Sequence, residues 1–168
     1  MSAATKVRLS PLSTTPLVSI VVPSFNQGHF IRETLDSIRR QDYPRLQVIV
    51  MDGASKDETV SVLRALSDWR WLEWTSEPDQ GVVDAVNKGL RRVRGDVVGI
   101  QSSDDVYLPG CLTQVVGIFQ REPTVGLVYG ESDYINSQGQ TIGETRCGEY
   151  SLRALLSRRT FIMQNATF

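Results

Sequence analysis

The chain has 168 residues, 40% of them hydrophobic and 22% charged, the make-up of one soluble globular domain long enough to bury a sizeable core. Lys and Arg number 18 against 19 Asp and Glu, and no basic stripe interleaves with aromatic residues, which argues against a nucleic-acid groove. The longest apolar runs are of strand length, short of the about 18 residues a membrane helix needs, so no membrane span is expected.

Residues 1–16, "MSAATKVRLSPLSTTP", are rich in Ser, Thr and Pro and lack the apolar stretch of a signal peptide, which predicts a flexible leader. From Leu17 the pattern becomes regular. "LVSIVVP" (17–23) is a β-branched run ended by proline, as in a strand buried on both faces. A turn at "FNQG" leads into a helix with Phe30, Ile31, Leu35 and Ile38 at helical spacing, which Tyr43-Pro44 breaks. "LQVIVMD" (46–52) is a second apolar strand, and "TVSVLRAL" starts a second helix with Val60, Leu63 and Leu66 on one side. "WRWLEWTSEP" (69–78) reads as a third strand, with Trp69 and Trp71 on one face and Leu72 and Trp74 on the other. Stacking of these tryptophans on a sugar or base is the alternative, but the spacing follows the pleat and favours the core. A third helix, "QGVVDAVNKGLRRVRG", is expected to turn Val82, Val83, Val86 and Leu90 inward and to close at Gly95. "DVVGIQSS" makes the fourth strand, and Pro109 suits the first turn of a fourth helix. Two short strands, "VGLVYGESDYI" and "QTIGETRC", flank the turn signal "NSQG".

Repeated alternation of strand and helix predicts βαβ units: an α/β fold with a mainly parallel sheet and helices on both faces. Ligands of such sheets bind outside the carboxyl ends of the strands. Pro23, Ser24, Phe25 and Asn26 follow the first strand, Asp52 and Ser55 the second, and Asp104 and Asp105 the fourth. Alone, the adjacent aspartates of "IQSSDDVYLPG" fit a solvated turn or a helix cap as well as they fit a functional site. Their meeting with Asp52 on one rim favours a site. A carboxylate pair at a strand end suits Mn²⁺ or Mg²⁺, which take one or two carboxylates and fill the other positions with water and phosphate oxygens. No glycine-rich phosphate loop is present, so a metal must carry much of any diphosphate charge. That points to a nucleoside-diphosphate donor rather than to ATP hydrolysis or hydride transfer. Two cysteines, Cys111 and Cys147, stand in no metal-ligand spacing and read as buried thiols of a reducing compartment. His29, the lone histidine, excludes any site built on a histidine cluster.

The blocks "VSIVVPSFNQGHFIRETLDSIRRQDYP", "VIVMDGASKDET", "SEPDQGVVDAVNKG" and "GDVVGIQSSDDVYLPGCL" resemble, in order, those of family-2 glycosyltransferases. These are inverting enzymes of the Rossmann-like GT-A fold. The resemblance implies transfer of a sugar from a UDP- or dTDP-sugar to an acceptor hydroxyl, a glycan or a lipid-linked one, as in bacterial surface polysaccharide synthesis. It implies that Pro23 and Phe25 line the nucleotide pocket and that Asp52 sits beside base and ribose. Asp104 and Asp105 match the DxD-type motif, with Asp105 as metal ligand and Asp104 nearer the ribose. Asp79, Asp84 and Asn87 are the candidates for the donor diphosphate and sugar, while Lys88 is expected to be a solvated helix residue. A cytoplasmic place of work follows, the inner face of the membrane included.

Two departures stand out. The family often carries a second acidic residue after the position of Asp52, where this chain has Gly53, so another base than uracil is open. The general-base carboxylate is expected beyond Phe168, in an acceptor part missing from the chain. Residues 17–168 would then be the donor-binding portion of the catalytic domain. The alternative is a truncated or degenerate nucleotide-sugar-binding module without turnover. A nucleotidyltransferase fits less well, because "PSFNQGHF" offers one glycine and no Lys or Arg.

Overall fold

The computed structural model describes residues 11–146, 151–157 and 161–168. Its central sheet has four parallel strands in the order β3-β2-β1-β4: β1 Val18–Ser24, β2 Leu46–Asp52, β3 Leu72–Ser76 and β4 Val97–Ile100. β1 and β2 lie at the centre and are buried along their whole lengths, which is why they read as unbroken apolar runs. Helices α1 (Ile31–Arg39), α2 (Thr59–Ala65), α3 (Val82–Leu90) and α4 (Cys111–Arg121) follow the strands in turn.

The pleat sends alternate side chains to opposite faces. Ile20, Val22, Val48 and Val50 pack with Ile31, Leu35 and Ile38 of α1, Leu63 of α2 and Leu112 and Val116 of α4. On the other face Val21, Ile49 and Met51 meet Ala85 of α3. An antiparallel hairpin, β5 (Ser132–Ile135) and β6 (Thr141–Thr145), and the short α5 (Leu152–Leu156) come after. The last residues return to the sheet: Phe168 and Val128 exchange backbone hydrogen bonds of 2.8 and 2.9 Å, and the Phe168 ring lies over Gly99, 5.5 Å from that of Tyr107. The parallel sheet with helices on both faces is therefore as the sequence predicted.

Local readings changed in four places. In α3, Val82 and Val83 are 65% and 71% exposed and Leu90 40%, while Ala85 and Gly89 face the sheet. A Cβ on Gly89 would stand 2.4 Å from Val21 Cγ1, so the helix lies too close to β1 for valine-sized side chains between them. The third strand begins only at Leu72; Trp69 and Trp71 precede it and pack, with Leu72 and Trp74, against a single core. Phe30 is the exposed residue before α1 rather than part of its inward stripe. Pro109 stands outside α4, whose N-cap is Gly110 at φ 79°.

Of the expected leader, residues 1–10 lie outside the described ones. Residues 11–16 lie against the body: Tyr43 donates to Pro16 O at 2.9 Å, Arg45 to Thr15 O at 2.8 Å, and Leu12 packs on the core. Cys111 is half-buried, burial pushing its thiol pKa up, and Cys147 lies outside the described residues. Among the described residues no helix is long and apolar enough to cross a membrane.

Candidate functional site

The carboxyl ends of β1, β2 and β4 open onto a cleft of about 570 Å³, lined among others by Pro23, Ser24, Phe25, Gly53, Asp79, Ser102, Ser103 and Asp104. Its floor is built by two loops clasped to each other. Asn26 N–H donates to Ser55 Oγ at 2.7 Å, and Asn26 Oδ1 accepts from Lys56 N–H at 2.9 Å. Asp57 joins the same loops from the other side, accepting from Gly28 N–H at 2.8 Å and from Thr59 N–H at 3.0 Å. The clasp holds Asn26 at φ 53° and Ala54 at φ 62°, a conformation that costs an alanine about 1 kcal/mol. Burial pushes the Asp57 carboxyl pKa up, but the hydrogen bonds from Thr59 and Gly28 together outweigh it and hold it below the usual range.

Asp52 lies beneath this floor, 1% exposed, and does not line the cleft. Its carboxylate accepts from Ser55 N–H at 3.0 Å, from the Ser55 hydroxyl, and from Ser76 Oγ at 2.5 Å. These bonds tie the β2 loop to the end of β3. In place, Asp52 is a clamp between the two strand ends rather than a group facing the cleft.

Of the three candidates around α3, the cleft gathers only Asp79. Its Oδ1 accepts from Gly81 N–H at 2.8 Å, and its Oδ2 stands where a Cβ on Gly53 would come within 2.7 Å. Phe25 flanks the same point, its Cδ2 3.2 Å from that Cβ position. Asp84 is turned to its own loop instead, accepting from Gln80 N–H at 3.2 Å and from Lys88 at 3.3 Å. The Gln80 N–H is the main cause of its lowered pKa. Asn87 is exposed on the helix away from the cleft lining. Lys88, expected to be solvated, also pairs with Glu77 at 3.2 Å and donates to Pro78 O at 3.1 Å. It pins the loop that carries Asp79.

Asp104 and Asp105 stand on the partition between two clefts. Asp104 is exposed and lines the first. Asp105 is half-buried and lines a second cleft of about 540 Å³ with Glu33, Tyr107, Glu131, Asp133 and Asn165. Burial raises the Asp105 pKa, the neighbouring Asp104 charge raises it further, and hydrogen bonds from Ser102 and Asn165 offset part of this. Among the described residues no Lys or Arg pairs with either carboxylate. Nor, among the described residues, do three or more His, Cys, Asp or Glu stand close enough together to hold a metal ion by themselves. The pair fits a divalent cation that takes two protein carboxylates and draws its other ligands from phosphate and water.

Sequence reasoning missed Asn165, whose contact with Asp105 spans most of the second half of the chain and leaves no local pattern. It saw Gly53 as a lost acid without seeing what fills its place. The serines of "QSSDD" were the available signal for Ser102 and Ser103.

The comparisons with known proteins agree with this fold. A family profile described as glycosyl transferase family 2 matches residues 19–166. An uncharacterized glycosyltransferase of Mycobacterium tuberculosis is 29% identical over 160 residues, 94% of this chain and 60% of that protein. Chondroitin synthase of Escherichia coli is 27% identical over 138 residues, 82% of this chain and 20% of that protein. The chain thus spans between 20% and 60% of the length of these curated relatives. A mannosyltransferase from Pyrobaculum calidifontis, solved with GDP-Man and Mn²⁺, has a TM-score of 0.64 at 34% identity, over 72% of this chain and 37% of that one. S. aureus TarS 1–349 with UDP-GlcNAc has a TM-score of 0.57 at 26% identity, over 63% of this chain and 31% of that one. These neighbours have the GT-A fold. With a profile that takes in nearly every residue from the first strand to the last turn, the chain belongs to glycosyl transferase family 2.

Proposed function

We propose that the strand-end cleft binds the donor of a sugar transfer, a nucleoside-diphosphate sugar, and that the protein passes its sugar to an acceptor hydroxyl with inversion. The observation that carries this reading is the cleft itself, where Phe25, Asp79 and Asp104 surround one space at the carboxyl ends of parallel strands. Structural neighbours solved with GDP-Man and with UDP-GlcNAc support it. Phe25 and Pro23 take the base, and Ser102, Ser103 and Asp104 take the ribose and diphosphate side. Asp104 and Asp105 would hold Mn²⁺ or Mg²⁺, as the neighbour solved with Mn²⁺ suggests. A cation there would neutralise the diphosphate as it leaves. Asp52 serves by keeping the floor in shape.

The acceptor, a glycan or lipid-linked hydroxyl, approaches from the second cleft, across the aspartate partition. Its proton goes to a carboxylate outside the donor cleft. A place in polysaccharide synthesis, with the work done in the cytoplasm, completes this reading; a relative named chondroitin synthase supports the first part.

Calorimetry of this chain with GDP, UDP and dTDP, each with Mn²⁺ and with EDTA, tests the reading. Binding of at least one nucleotide that weakens tenfold or more in EDTA is the expected result. Equal affinity in EDTA overturns the metal role, and no binding of any nucleotide overturns the donor cleft.

A further inference from the structure

The block "DQGVVDAVNKG" sends Asp79 to the donor cleft, but its other charged residues, Asp84 and Lys88, lie outside the cleft lining. An ammonium group has three N–H donors and no acceptor. Around that of Lys88 stand three oxygens: Pro78 O at 3.1 Å, Glu77 Oε1 at 3.2 Å and Asp84 Oδ2 at 3.3 Å. Asp84 Oδ2 also accepts from Gln80 N–H at 3.2 Å. One ammonium on α3 thus gathers the residues on both sides of Asp79, two directly and one through Asp84. The rest of the loop is tied at its ends, by Glu77 N–H to Asp52 O at 2.9 Å and by Gly81 N–H to Asp79 Oδ1 at 2.8 Å. Gly81, at φ 104° and with open space at its Cβ position, adds backbone freedom just after Asp79. Each ion pair is partly exposed and by itself worth little to stability. Their convergence on one point fixes where a cleft-lining loop stands.

We propose that Lys88 is a positioning residue for the donor: it holds the loop that brings Asp79 and Gly81 to the cleft and does not itself touch the nucleotide. This deepens the donor-cleft reading above and rests on it. The competing role is direct contact with the diphosphate, which the cleft lining, without a Lys or Arg of its own, would invite. The two roles make opposite demands on Glu77. A lysine that leaves the loop to meet a phosphate competes with Glu77, and that carboxylate also repels the anion. Removing it then leaves binding level or tightens it. A lysine that works by holding the loop needs Glu77, and removing it weakens binding although a negative charge has gone from beside an anion site. Loss of the ammonium weakens binding in both cases, so Glu77 carries the decision.

The test is calorimetry with UDP, GDP and dTDP in the presence of Mn²⁺ for the parent chain, Lys88→Met, Glu77→Gln and the double variant. Lys88→Met keeps an apolar stem and removes the charge; it is expected to weaken the tightest-bound nucleotide by about tenfold or more. Glu77→Gln, at an exposed residue outside the cleft lining, is expected to weaken it by about threefold, the scale of one exposed pair. In the double variant the two losses should not add, because both open the same hub. The Tm of each metal-free variant should stay within about 4 °C of the parent, and a larger fall overturns the proposal by making Lys88 a residue of the fold. Glu77→Gln binding as tightly as the parent or more tightly overturns the positioning role in favour of direct contact. Losses that add in full overturn the shared hub, and a Lys88→Met chain that binds like the parent removes Lys88 from donor binding altogether. No nucleotide binding by the parent overturns the donor cleft itself, and this inference with it.

Discussion

The ends of β2 and β4 both carry aspartate, and the fold treats the two places in opposite ways. At the end of β2, Asp52 is buried and both oxygens of its carboxylate accept hydrogen bonds, from two serine hydroxyls and a backbone N–H. At the end of β4, Asp104 and Asp105 stand side by side with no cationic partner among the described residues, Asp105 raised in pKa by burial and by its neighbour. Donors on both oxygens make a carboxylate part of the frame. A carboxylate whose neighbour repels it is held in a state that a ligand can relieve. Strand-end acids are equal in sequence, so partners, not position, separate clamp from site.

The sharpest way to break that distinction is Asp52→Ala. It would leave the Ser55 and Ser76 hydroxyls and the Ser55 N–H without their acceptor beneath the floor. A loss of about 3 kcal/mol in unfolding free energy is expected, given that hydrogen bonds to a buried charge are each worth more than neutral ones. Urea denaturation measures it. A loss below about 0.5 kcal/mol, the range of ordinary surface substitutions, would show that Asp52 is no clamp and reopen it as a ligand group.

A smaller effect is expected one layer up, at Asp57, which closes the same floor from the solvent side. Asp57→Ala removes the acceptor for Thr59 N–H at the start of α2 and for Gly28 N–H. A cap of this kind is worth about 1 kcal/mol. The folded pKa of Asp57 lies below the usual carboxylate range. Its contribution is therefore complete above that range and is lost as pH falls through the folded pKa. Urea unfolding at pH 5 and at pH 2.5 should show the wild-type chain losing more stability on acidification than Asp57→Ala does. Equal losses would remove Asp57 from the clasp.

The same contrast explains what the sequence could and could not convey. Buried parallel strands announce themselves, because β1 and β2 have no polar face to interrupt the run. The cleft was legible too, since a parallel sheet puts ligands at strand ends and Pro23, Phe25, Asp79 and Asp104 meet there. The inward face of α3 was not. Hydrophobicity favours valine, but distance decides, and Gly89 faces β1 because nothing larger fits against Val21. Nor was the fate of the missing acid at Gly53. Asp79 reaches that place from a different loop, and periodicity has no view of contacts between loops. Asp84 shows the converse: it is one helical turn from Lys88, and pairing within its own helix and loop was the simpler outcome.

The smallest change in stability is expected at the partition, with Asp105→Asn. The side chain keeps its shape and an oxygen to accept from Ser102 or Asn165, so little packing is lost. What disappears is a half-buried negative charge beside Asp104, whose desolvation and repulsion oppose folding when no cation is bound. Both point the same way, so the unfolding free energy of the metal-free chain should stay within about 0.5 kcal/mol of the parent or rise. Nucleotide binding should respond in the opposite sense: with one carboxylate of the pair neutral, the gain from added Mn²⁺ should fall tenfold or more. The two measurements together separate site from frame. A drop of about 2 kcal/mol or more in EDTA, the loss of a well-bonded charged acceptor, would put Asp105 in the class of Asp52. An Mn²⁺ response unchanged in the variant would take the cation away from Asp105 and leave Asp104 to hold it on the cleft side alone.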